Sequence, residues 1–297
     1  MSLNALYNEA GISRQGFHQW LGRRLEEAEE LALLRPIVEQ IRMDHPRMSA
    51  KVIYRLVHPT TLGRDRFIGI CAGWGLLLPR ERSPIRTTDS LGVTRFLNLL
   101  EGAEVTCVNQ FWTSDITYYQ LGGEVYYITL VLEVFSRRII GWQLSDTLRT
   151  EHTTLPALRM ALRLRRGKDL TGLVFHSDGG GQYYCKEFLK ILRDKDTGSS
   201  MCEHAWENPY SERVNGTVKN DYIRQWDPRS REELASCLDR AVMLINDQRP
   251  HSSLNYNTPL TVDEHPELFT ELTVINKEKR TKREKSQHNQ QIELTEH

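Results

Sequence analysis

The stretch Asn109–Tyr119, NQFWTSDITYY, sets an aspartate inside a run of aromatic and β-branched residues. No other feature constrains the fold as much. Phe111–Tyr119 suits a strand. Alternation puts Phe111, Thr113, Asp115 and Thr117 on one face, and Trp112, Ser114, Ile116 and Tyr118 on the other. An aspartate in such a run either lies at a partly exposed edge or, if buried, is paired or bound to metal.

Two later stretches supply acids in comparable settings. Leu173–Phe175 is a short apolar run that reads as a buried strand; Asp178 follows it, then Gly179-Gly-Gly, then a helix over Gln182–Arg193 with Phe188, Leu189 and Leu192 inward. An acid at the carboxyl end of a strand in a strand–loop–helix crossover occupies a common ligand position of α/β sheets. Glu212 falls in a helix that starts at Asn208-Pro209. Tyr210, Val214, Val218 and Tyr222 form its buried stripe, while Asn208, Asn215 and Lys219 share the face of Glu212. Taken alone, that face reads equally as a solvated one. Three hard oxygen donors on separate elements suit Mg²⁺, and two such ions about 3.5–4 Å apart serve phosphoryl transfer.

At this point the chain resembles the DDE transposases of bacterial insertion sequences, which share the retroviral-integrase catalytic core. The resemblance is carried by Trp112–Tyr118 (WTSDITY), Val134–Trp142 (VFSRRIIGW), His176–Tyr183 (HSDGGGQY), Asn208–Lys219 (NPYSERVNGTVK) and Asn246–Leu254 (NDQRPHSSL), in order over about two-thirds of the chain. It implies an α/β, RNase H-like mixed sheet flanked by helices, preceded by an all-α helix-turn-helix region. It further implies Asp115, Asp178 and Glu212 as catalytic metal ligands for two Mg²⁺ ions, with Mn²⁺ as a substitute. There are two departures: 33 residues separate Asp178 from Glu212, fewer than is usual in the family, and Gly179 stands where Arg is common. Glu207 and Glu203 are the weaker substitutes for the third acid.

The 39 Lys and Arg are matched by 39 Asp and Glu, so a DNA-binding role must rest on local charge. Arg47–Arg86 holds eight basic residues against Asp65 and Glu81, which suits a phosphate-facing surface. Five cysteines lack CxxC spacing, which argues against a zinc knuckle and for reduced thiols. No apolar run reaches membrane-spanning length and no signal pattern opens the chain; a cytoplasmic, nucleoid-associated bacterial protein is expected.

At the amino terminus the pattern predicts a short helix over Leu3–Ala10, a turn at Gly11, and a second helix capped by Ser13 that ends near Leu21. Arg14, Gln15, His18 and Gln19 would face DNA. Further helices are predicted over Glu26–Leu34, from Pro36 to Met43, and over Ala50–Val57. A second recognition helix follows Gly63, with Arg64 and Arg66 in its first turn. Lys219 completes the candidate DNA contacts.

The expected domains are a helical DNA-binding region (1–75), a basic linker (76–104), the catalytic core (105–225), a carboxyl-terminal helix and loop (226–275) and a polar tail (276–297). In the core, strands are expected over Val125–Phe135, over Arg138–Leu144 and around Met201, with a helix over Thr150–Arg166. Ser230–Glu233 is a capping box opening a helix to about Asp247. Arg137 and Arg138 could contact phosphate or cap a turn, and the loop Arg249–Leu254 could track DNA or a partner subunit.

The expected function is metal-dependent cleavage and strand transfer at the ends of the protein's own mobile element. Its partners are then double-stranded DNA, both element ends and target, with a homodimer or larger assembly on it. In many relatives an upstream reading frame adds an amino-terminal segment. The alternatives are a metal-dependent nuclease on the same core, or a DNA-binding regulator with an inactive core.

Overall fold

In the computed structural model, Tyr7 and residues 9–79, 96–202 and 207–269 are described. The chain divides into two compact units, Met1–Ser83 and Pro84–His297.

The first unit is helical. α1 spans Arg14–Asp44, α2 Ala50–Val57 and α3 Arg64–Gly73. Ser13 caps α1 by accepting the Gly16 N–H at 3.0 Å, as expected. The helix does not end near Leu21, however, and the three helices predicted between Ser13 and Met43 are one. Pro36 sits inside it, which costs one backbone hydrogen bond and crowds the preceding turn. The helix continues because Leu34 and Val38, on either side of Pro36, are buried with Met48, Ile53, Leu62 and Phe67 from the segments that follow. The pair α2–α3 keeps a helix-turn-helix form, whereas the predicted Leu3–Ala10 helix lies largely outside the described residues. So do most of the expected linker and all of the tail.

The second unit is a mixed sheet in the order β3-β2-β1-β4-β5. β1 (Phe111–Leu121), β2 (Glu124–Glu133) and β3 (Ile139–Ser145) form an antiparallel meander. β4 (Val174–Ser177) and β5 (Gly198–Met201) add to the other side of β1 in parallel. Period-two alternation sorts the strands as read from sequence. Trp112, Val131, Ile140 and Phe175 face one layer with α4 (Thr154–Leu164) and α5 (Lys186–Asp194). Ile128, Leu130, Leu132 and Ile139 face the other, made by α6 (Pro209–Gly216) with its continuation and α7 (Arg231–Asp247). A short α8 (Pro259–Glu264) follows.

Three local features depart from expectation or sharpen it. First, α5 begins at Lys186, capped by Cys185, and not at Gln182; Gly181–Tyr183 is a 3₁₀ turn. Second, α6 runs on as a π-helix over Thr217–Ile223. Residues four apart drift about 40° per step on a 3.6-residue helix. The wider turn absorbs that drift and keeps Val214, Val218 and Tyr222 buried together. Third, Gly141 lets β3 lie directly on α4: a Cβ there would stand 2.2 Å from the carbonyl oxygen of Ala157.

Beyond the sheet, Arg138 and Arg165 both close on the buried carboxylate of Asp263, tying α8 to the core. No helix among the described residues is long and apolar enough to cross a membrane.

Candidate active site

β1 is where the winding of the sheet reverses: the chain leaves it on one side through β2 and β3, and returns on the other as β4 and β5. Ligand sites of open α/β sheets form outside strand carboxyl ends at such a point. The parallel register ends at Ser114 opposite Ser177. Asp115, the next residue of β1, and Asp178, the first residue past β4, follow that pair, so the two acids predicted from separate motifs lie side by side.

Asp115 is held from two directions. Its Oδ1 accepts the Ile116 N–H at 2.9 Å, and its Oδ2 accepts an amide hydrogen of Asn215, on α6, at 2.8 Å. Burial, then the charge of Asp178, then that of Glu212, push its pKa up to about 7 against those two donors. Asp178 is also raised, by burial, although its Oδ1 accepts the Gly180 N–H at 3.1 Å. Gly180 is tightly placed: a Cβ there would stand 3.0 Å from that Oδ1 and from Gln182 Oε1, so both side chains would have to shift a little.

The polar face of α6 meets β1 here. Asn208 donates to the Ser114 carbonyl at 3.2 Å, and Lys219 to the Thr117 hydroxyl at 2.9 Å, with its ammonium 5.2 Å from the Tyr118 ring centroid. Glu212 shares that face but is exposed, and it reaches Asp115 through its charge. No three His, Cys, Asp or Glu side chains among the described residues gather closely enough to hold a metal ion. Glu207 approaches Asn98, 3.4 Å from its amide nitrogen, and Glu203 lies outside the described residues. Two half-buried carboxylates whose charge burial opposes are nonetheless a donor set suited to a hard divalent cation.

A support network under the acids was not foreseen. Ser114 Oγ donates to the Leu130 carbonyl at 2.8 Å, so the fully buried Tyr183 hydroxyl, 2.9 Å away, must be the donor to Ser114. Tyr184 donates to the Asp178 carbonyl at 2.7 Å. Tyr183, which closes the GGGQY motif, and Tyr184 after it thus brace the residue before Asp115 and Asp178 itself. The role of Asn215 was also missed, although the recurrence of Asn208, Glu212, Asn215 and Lys219 on one face was its signal.

His176 does not orient Asp178. It meets Ser200 on β5, 2.9 Å from Nδ1, and burial pushes its pKa down to about 4. Because Ser200 Oγ donates to the Leu97 carbonyl, Nδ1 is the protonated nitrogen.

Of the sequence-predicted DNA contacts, Lys219 lies beside the acids, and the others lie apart from them along the chain. Arg14, Gln15, His18 and Gln19 are exposed in the first two turns of α1. Arg64 pairs with Asp65 at 2.7 Å, and Arg66 with Glu27 at 2.6 Å.

The strand order, with Asp115 on β1 and Asp178 just past the adjoining β4, is that of an integrase-type core. The integrase core domain families match residues 105–205 and 200–259, together a little over half of the chain. An insertion element IS600 uncharacterized 31 kDa protein of Shigella sonnei is 27% identical over 259 residues, covering 84% of this chain and 94% of that one. A transposase for insertion sequence element IS629 of the same organism is 32% identical over 134 residues, 43% of each chain. Among solved structures, the HTLV-2 integrase catalytic core domain in complex with magnesium aligns with a TM-score of 0.43 at 18% identity, over 52% of this chain and 96% of that one. The chain belongs to the integrase core domain family, whose models together match residues 105–259.

Proposed function

We propose that this protein cuts and joins DNA at the ends of its own mobile element, by metal-dependent transfer of phosphodiesters at Asp115, Asp178 and Glu212. The observation that carries the reading is the adjacency of Asp115 and Asp178 one step beyond the last β1–β4 register pair, where burial opposes the charge of both. A divalent cation, Mg²⁺ or Mn²⁺, would be held by Asp115 and Asp178, with Glu212 on the facing helix as the third ligand. Bound there as a pair, such ions would supply charge neutralisation for the attacking and leaving oxygens of an in-line displacement.

The chain's own residues prepare that step. Asn215 and the Ile116 N–H fix the two oxygens of Asp115, and the Gly180 N–H orients Asp178. Lys219, anchored on Thr117, brings a cation beside the acids for a DNA phosphate. Burial lowers the proton affinity of that ammonium. The exposed Arg14, Gln15, His18 and Gln19, together with Arg64 and Arg66, supply the DNA contacts of the helical unit. The working assembly is a homodimer or larger complex on two DNA ends.

A strand-transfer assay tests the reading, using DNA that carries the element's flanking ends, Mg²⁺, and Asp178→Asn as the control. Joined products from the wild type alone are expected. Cutting without joining would favour a nuclease, and DNA binding with neither reaction would favour a regulator.

A further inference from the structure

The VFSRR turn and the RPHSSL loop meet on the far side of α6 from Asp115, and the strained residue there is Arg137. It adopts φ +65° in the turn between β2 and β3. A non-glycine residue in that region costs about 1–2 kcal/mol. Such strain at an ordered position is a reason to look for a task. The Arg137 guanidinium lies 4.2 Å from the Tyr210 ring centroid, in the first turn of α6. Its Nη1 is buried and has no hydrogen-bond partner among the described residues.

Two further donors converge on the same place. Arg213 is one turn along α6 from Tyr210 and so lies on the same side of the helix. It is exposed, and it directly follows Glu212. His251 is carried there by a loop tied at both ends. Arg249 pairs with Asp221 at 2.7 Å, beyond α6, and Leu254 packs with Phe135, two residues before Arg137. The Ser253 backbone N–H and hydroxyl both lie on His251 Nδ1, at 3.3 and 2.8 Å. Nδ1 therefore accepts, and Nε2 carries the proton.

Burial and the charges of Arg137, Arg213 and Arg249 hold His251 neutral, with its pKa down at about 4. The acids near this cluster are already engaged. Glu133 bears on Arg137, but its buried oxygens take hydrogen bonds from Asn109, Phe135 and Ser136. Asp221 is committed to Arg249.

We propose that Arg137, Arg213 and His251 form a phosphate clamp, which grips a backbone phosphate of the DNA strand next to the one being cut. The inference rests on the transposase reading and deepens it by naming what lies against the far side of α6. Guanidinium groups suit the paired non-bridging oxygens of a phosphodiester. Tyr210 keeps the Arg137 plane fixed, so little side-chain freedom is lost on binding. The task explains the strain: an arginine at this tight turn aims its guanidinium across Tyr210, where a glycine would only close the turn.

The test uses the full chain in EDTA. Wild type, Arg137→Gly and Arg213→Gln are compared by thermal unfolding in inorganic phosphate against sodium chloride of equal ionic strength. Arg137→Gly relieves the backbone strain, and Arg213 is exposed, so both variants fold. The wild type should show saturable stabilisation by phosphate, and each variant should lose it. On labelled end DNA, each variant should lower the slope of log affinity against log salt by about 1. Unchanged phosphate stabilisation and salt slope would overturn the clamp. So would variants that alter only the sedimenting species, which would assign the cluster to acidic residues of a second copy. Loss of phosphate binding in the variants of a chain that never cuts DNA would uphold the clamp and sink the transposase reading; normal cutting with unchanged phosphate binding would do the reverse.

Discussion

Replacing Asp115 with asparagine should make the metal-free protein more stable at alkaline pH, although it destroys the site. The folded-state pKa of Asp115 stands at about 7 against an ordinary 3.8, raised by burial and by Asp178 and Glu212. The folded protein therefore binds more protons than the unfolded chain between about pH 4 and 7, and stability falls across that window as pH rises. Three units correspond to about 4 kcal/mol. Asp115 is only half-buried, and water screening brings the expected loss to about 2–4 kcal/mol. The asparagine avoids that loss. Its amide would face the Asn215 amide nitrogen that now donates to Asp115, but Asn215 Oδ1 is buried without a hydrogen-bond partner among the described residues, so a flip of Asn215 restores the bond. Urea unfolding in EDTA at pH 4.5 and pH 8 is the assay. Near-equality is expected at pH 4.5, and a more stable Asp115→Asn at pH 8. Adding Mg²⁺ at pH 8 should recover stability in the wild type and leave the variant unmoved. A variant no more stable at pH 8, or a difference of equal size at both pH values, would refute the reasoning.

Three further outcomes are expected. Gly141→Ala should cost about 3 kcal/mol or more by chemical denaturation, because the new methyl meets the Ala157 backbone carbonyl, which cannot turn aside. Gly180→Ala should slow strand cleavage about 10–100-fold while shifting the melting temperature little, since its Cβ crowds the Asp178 carboxylate and Gln182 Oε1 at 3.0 Å and meets no core side chain. Asp263→Ala should cost about 3–5 kcal/mol, read from the same urea curves, since it strands Arg165, whose side chain is 5% exposed. Burial alone would raise the Asp263 pKa, but Arg165 and Arg138 outweigh it and hold it low. The wild type should therefore lose this stabilisation as pH falls below the usual aspartate range.

Where residue periodicity speaks directly to packing, the sequence was readable. Phe111–Tyr119 alternates, and its two faces separate as expected. Leu234, Leu238, Ala241, Val242 and Ile245 recur at helical spacing, and all are buried in α7. Asp115 and Asp178 were legible because each interrupts an apolar strand pattern. What was not legible depends on contacts distant in sequence. Pro36 normally ends a helix, and only the burial of Leu34 and Val38 against later segments keeps α1 whole. The π-helical turn at Thr217–Ile223 follows from where β1 and β2 place their side chains. Tyr183 looks ordinary until the parallel pairing of β1 with β4 brings Ser114 to it, and Asn215 until α6 packs across β1 at Asp115.

The uneven lengths of the strands give the two acids different mechanical standing. Asp115 rides on an eleven-residue strand zipped along ten positions of β2. Asp178 hangs from a four-residue strand between two short parallel ladders, a weaker pairing per residue. Amide exchange should reach β4 and β5 well before β1 and β2, as local opening follows the fewest buried bonds. The pair is thus an anvil and a spring: one carboxylate is fixed in the frame, and the other hangs where the sheet yields first, which in the proposed reaction would leave room for one strand to replace another.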